Sequence, residues 1–123
     1  MIVDINTHFG ASVLRTPDRS LAALLRALSD HGISLACTCS LVGAEYDHRL
    51  GNEQTFEVVQ QHTQLLPVAT LNPRRHIGWE RDLEHALAGG AVAFRFFFLE
   101  QGWSLDTLPF QAILRRLAPY GKP

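Results

Sequence analysis

"AVAFRFFF", residues 91–98, is the stretch that decides the fold. Arg95 is its only charge, and a strand this apolar has no face to give to water. Strands buried on both faces belong to parallel sheets covered by helices. The flanks agree with that reading. Upstream, Gly89-Gly90 ends a helix expected at 79–88, whose apolar side is Trp79, Leu83, Ala86 and Leu87. Downstream, Phe110, Ile113, Leu114 and Leu117 recur at helical spacing over 109–119, with Gly121 after them.

The same alternation continues toward the N-terminus. "LLPVATLNP", 65–73, reads as a strand closed by Pro73, and a helix at 53–63 faces inward with Phe56 and Val59 behind an Asn52 cap. A polar loop spans 43–51, and "SLACTCSLV", 34–42, is another strand. The helix at 17–30 has Thr16 as its cap, Pro17 at its first position, a stripe of Leu21, Leu24, Leu25 and Leu28, and Gly32 as its stop. Residues 2–8 are the first strand. The result is βαβαβαβα, an α/β chain with parallel strands expected in the order 1-2-3-4. Four units in 123 residues is about 31 residues each, the spacing of an eight-unit barrel of about 250 residues. Residues 1–123 therefore read as one domain, half of a TIM (β/α)8 barrel, whose fifth strand is expected at "YGKP".

Bulk properties exclude several classes. A net charge of −1 gives no reason to expect nucleic acid or an anionic surface as partner. No apolar run approaches a membrane span, and no basic segment precedes an apolar one at the start, so no secretory signal is expected. Cys37 and Cys39 stand at i and i+2 with no second pair to complete a zinc site. They read as reduced thiols of a cytoplasmic protein.

The first strand carries the chemistry. In "IVDINTHFG", 2–10, regular alternation puts Asp4, Asn6 and His8 on one face. The ordered set "MIVDINTHFG", "HGIS", "GNEQTFEVVQQHTQLLPVATLNPR", "GGAVAFRFFF" and "FQAILRRLAPYGKP" resembles the first half of the amidohydrolase superfamily. The resemblance is to the branch of metal-dependent barrel hydrolases and decarboxylases similar to aminocarboxymuconate semialdehyde decarboxylase. It implies a divalent, zinc-like metal held by two histidines at the end of strand one. His8 matches the second of these, and Asn6 replaces the first. An amide oxygen is a poor zinc ligand. The family's other ligands fall beyond Pro123, so no stoichiometric metal is expected on this chain.

Other candidate residues are weighed on their chemistry. Arg95 either forks a substrate carboxylate or pairs with Glu100 or Asp82. It cannot bridge metals, as a carbamylated lysine or carboxylate does in some family members. Asn6 is a substrate contact or an inert replacement, and Asp4 orients His8 or bonds backbone. Asn72 faces a pocket or makes an Asn-Pro turn. Trp103 walls a pocket or packs on the last helix. The histidines at 31, 48, 62, 76 and 85 lack ligand spacing and read as solvated. Three functions compete: half of a small-molecule hydrolase or decarboxylase, a non-catalytic oligomeric βα module, and an unrelated doubly wound fold. Strands one and four, as open edges, predict a homo-oligomer.

Overall fold

The structure is a computed structural model that describes residues 1–123. Its elements run β1 (Val3–Phe9), α1 (Leu21–Asp30), β2 (Leu35–Ser40), α2 (Leu41–Glu45), α3 (His48–Gln61), β3 (Leu65–Ala69), α4 (Trp79–Ala88), β4 (Ala93–Phe94), α5 (Phe98–Gln101) and α6 (Leu108–Leu117). Short 3₁₀ turns occupy Pro73–Arg75 and Ala118–Tyr120. The four strands lie in the order β1-β2-β3-β4, every pairing parallel, and curl into a half-barrel.

Register explains the curl and locates the core. Ala36 pairs with Leu65, and Ala69 with Phe94. Paired residues share a face, so these four mark one side of the sheet. All the long helices pack on that side. Leu28 of α1 meets Ala36 and Leu65; Phe56 of α3 and Ala86 of α4 meet Ala69; Leu83 joins Ile113 and Leu117 of α6 around Leu71. The helices thus form a single outer layer, as a barrel requires and a doubly wound sheet does not. Burying each Leu, Ile or Phe of this layer stabilises by roughly 1.5–3 kcal/mol. The concave face carries Cys37, Cys39, Val68, Ala93 and Arg95.

Four local expectations change. Helix α1 begins at Leu21, because Ser20 caps it by accepting from the Ala23 amide, and Pro17 stays in the preceding loop. The expected polar loop at 43–51 is instead α2, which follows β2 directly, and the first turn of α3. Asp47 caps α3 through the amides of Arg49 and Leu50. Asn52 lies inside that helix, buried, and bonds both backbone groups of Thr70 at 2.9 Å. Strand β4 is only two residues long. The Phe94 amide turns away to the Pro123 carbonyl, while Arg95 bonds Ala69, and the ladder ends there. The remaining apolar residues leave the sheet: Phe96 packs on Trp103 and Phe110, Phe97 lines a cavity, and Phe98 opens α5 and also packs on Trp103.

Candidate functional site

Parallel barrels place their chemistry at the C-terminal ends of the strands. Here that end holds a cavity of about 500 Å3 between apolar walls that include Leu41 and Phe97. Four polar side chains enter it: His8, Arg19, Glu45 and Glu100. Three of them arrive by definite routes. His8 pairs with Cys39 in the β1–β2 register, which turns it to the concave face. Gly10 has φ +104°, a backbone that side chains resist, and its amide closes the following loop onto the Arg19 carbonyl at 2.7 Å. That closure returns Arg19 to the strand end. Glu45, the last residue of α2, accepts from Ser12 Oγ and the Val13 amide, both at 2.8 Å, and so pins the loop across the cavity.

The expected common face of Asp4, Asn6 and His8 does not form. Asp4 pairs with Ala36, yet Thr7 pairs with Thr38, so β1 fits one extra residue between them. Such a bulge flips the alternation. Asp4 falls on the helix side and accepts the Asn6 amide at 2.9 Å, while His8 falls on the concave side. Asn6 is exposed and borders a separate cavity of about 370 Å3 with Arg95 and Pro123.

Arg95 lies on the concave face and reaches β1. Its guanidinium donates to the carbonyls of Ile5 at 2.7 Å and Thr7 at 3.2 Å, with Cys39 Sγ at 3.8 Å. Neither Glu100 nor Asp82 pairs with it. Asn72 caps the 3₁₀ turn by accepting from the Arg74 amide at 3.0 Å. Trp103 is buried among Phe96, Phe98 and Phe110, with its indole N–H bonded to Gln101 Oε1. The structure thus brings His8 together with Arg19, Glu45 and Glu100, and leaves Asn6, Asn72 and Trp103 elsewhere.

Electrostatics set the state of these groups. Burial, then the charges of Arg95 and Arg19, holds His8 below the usual imidazole range, against weaker opposition from Asp4 and Glu100. Burial pushes the Cys39 thiol up, with Arg95 opposing. The residues do not suit a zinc-like metal. His8, Glu45 and Glu100 share the cavity, but no three His, Cys, Asp or Glu side chains stand placed to hold one metal ion. A ligating histidine also donates its second ring N–H to an acceptor, whereas the buried Nδ1 of His8 has no partner. The cavity offers an imidazole, a guanidinium, the Glu45 and Glu100 carboxylates and an apolar wall. Glu45 is tied to Ser12 and Val13, so His8 and Arg19 are the donors that can meet a small organic anion, with Glu100 opposing it.

One buried polar group escaped the sequence reading. His48, expected to be solvated, is 2% exposed; its Nε2 lies 3.0 Å from Asp82 Oδ2, and Arg49 Nε donates to Asp82 Oδ1 at 2.8 Å. Residues 34 apart carry no local spacing signal, so only the packing of α3 on α4 brings them together.

No protein-family model matches the chain, and no curated protein matches it. Among solved structures, it is similar to a probable 2-pyrone-4,6-dicarboxylic acid hydrolase from Acinetobacter baumannii with citric acid bound. The TM-score is 0.60 at 20% identity, over 96% of this chain and 46% of that one. At that identity the likeness is one of fold, and this chain spans about half the length of the protein it matches.

Proposed function

We propose that this chain forms half of an amidohydrolase-like barrel and binds a small carboxylate substrate at its strand ends, without supporting metal-dependent turnover by itself. The observation that carries this reading is the cavity at the C-terminal strand ends, lined by Arg19 and His8 together with Leu41, Phe97, Glu45 and Glu100. The fold neighbour's dicarboxylic acid substrate class and its bound citric acid make carboxylates the first ligands to test. The lack of a converging ligand set argues against catalysis by this half alone. Free Cys37 and Cys39 suit a reducing, cytoplasmic setting. The experiment is calorimetric titration with 2-pyrone-4,6-dicarboxylate and with citrate, followed by a hydrolysis assay with and without zinc. Binding without turnover is expected. Zinc-dependent hydrolysis overturns the inert half, and absence of binding overturns the substrate class.

A second reading, a non-catalytic oligomeric module, draws on one feature. Strand β1 has a free edge and exposes Val3 and Ile5 at 42% and 73%, with Ile2 just before it at 55%. An unpaired apolar edge is a template for another chain, so a homodimer through β1 is proposed. Light scattering at micromolar concentration tests it: Ile5→Lys should shift the dimer toward monomer, and a wild-type monomer rules it out.

A further inference from the structure

The two ring nitrogens of His8 stand in different surroundings. Nδ1 is buried and meets no hydrogen-bond partner, which leaves Nε2 as the nitrogen through which the ring can meet a ligand in the cavity it lines. A neutral imidazole carries one proton, on one nitrogen or the other. On Nδ1 that proton would be a buried donor with no acceptor, an arrangement that proteins avoid more strongly than an idle acceptor. On Nε2 it can reach water or a ligand. The open position is therefore the donor, and the lone pair is the one sealed inside.

We propose that His8 carries its proton on Nε2 and, together with the Arg19 guanidinium, donates to an anionic oxygen of a small carboxylate, so that His8 is a ligand-binding donor and not a metal ligand. The proposal rests on the substrate reading above and deepens it. A metal ligand needs the reverse arrangement, with a bare nitrogen in the cavity and the buried nitrogen donating to a fixed acceptor. No such acceptor meets Nδ1. The guanidinium available to share the ligand is Arg19, because Arg95 is already committed to the Ile5 and Thr7 carbonyls. Two donors lining one cavity, one charged and one neutral, can serve the two oxygens of a carboxylate.

The test combines a spectroscopic readout with binding. In ¹⁵N-labelled full chain near neutral pH, long-range ¹⁵N–¹H spectra, assigned by loss of the signal in His8→Gln, should show Nε2 protonated and Nδ1 bare. Equimolar zinc should leave both unchanged. A proton on Nδ1, or a zinc-induced change at Nε2, overturns the proposal and leaves the fold-level reading intact. By calorimetry, Arg19→Gln and His8→Ala should each weaken citrate binding about tenfold, while His8→Gln, which keeps an N–H donor, should stay within about threefold of wild type. His8→Gln as weak as His8→Ala overturns the donor role. If wild type takes up no citrate while the tautomer is as expected, the substrate reading fails, and the carboxylate clamp fails with it.

Discussion

Two histidines of this chain share one oddity and differ in everything else. Both His8 and His48 have a buried Nδ1 with no hydrogen-bond partner. His48 turns its Nε2 to Asp82, which Arg49 also holds, and the ring is sealed between α3 and α4. The His8 ring lines a cavity, and no group of the chain bonds its Nε2. The first ring is satisfied from within the protein and is part of the scaffold. The second has an open donor position and is available to a ligand. Burial alone does not separate a structural histidine from a functional one; the neighbour of the second nitrogen does.

The sharpest way to break this comparison is to remove Asp82. Asp82→Ala strands His48 and frees Arg49, and should cost about 3 kcal/mol in denaturant unfolding. His8→Ala, which breaks no internal bond, should cost about 1 kcal/mol or less. Equal losses would mean that His8 is scaffold too.

A smaller effect is expected from the loop over the His8 cavity. Glu45→Ala removes the acceptor of Ser12 Oγ and the Val13 amide, and should cost about 1 kcal/mol. Hydrogen exchange should quicken at Val13 and leave α4 unaffected. Protection unchanged at Val13 would show that the Gly10–Arg19 closure holds the loop without Glu45.

The smallest effects are in pH dependence, and the two regions should differ in window. Burial pushes the Asp82 carboxyl up, but hydrogen bonds from Arg49 and His48 outweigh it and hold the group below its ordinary 3.8. Its stabilisation is present above that value and is lost as pH falls through the lower folded value. Burial and the two arginines depress His8 below 6.5. The unfolded chain therefore takes up the proton first, and the His8 contribution is present above pH 6.5 and lost as pH falls from there. His8→Gln should flatten stability in the window just below 6.5 and leave the acid limb in place. A change confined to the acid limb would contradict the assignment.

What could be read from the chain, and what could not, divides by range. The four βα units, α4 at Trp79–Ala88 and the apolar stripes of α1 and α6 followed from periodicity, because each side chain's burial there depends on its own element's repeat, and the order 1-2-3-4 followed from the rules for connecting parallel strands. His8 was legible as a strand-end residue for the same reason. The common face of Asp4, Asn6 and His8 was not, because alternation holds only while the ladder is regular, and the bulge beside β2 is a property of the pair. Apolar character over 91–98 was visible too, but just two of those residues form the strand, while Phe96 and Phe98 pack on Trp103 and Phe97 lines a cavity. Arg19 lacked any signal in its own neighbourhood; loop closure brought it to His8. Arg95 and Ile5 are 90 residues apart, and His48 and Asp82 are 34 apart. The elements were legible in the chain, since hydrophobic period is local, and their order in the sheet followed from short right-handed connections. Tertiary structure alone decided which polar atoms meet, since a hydrogen bond needs its partners within about 3 Å and no residue spacing encodes that across separate elements.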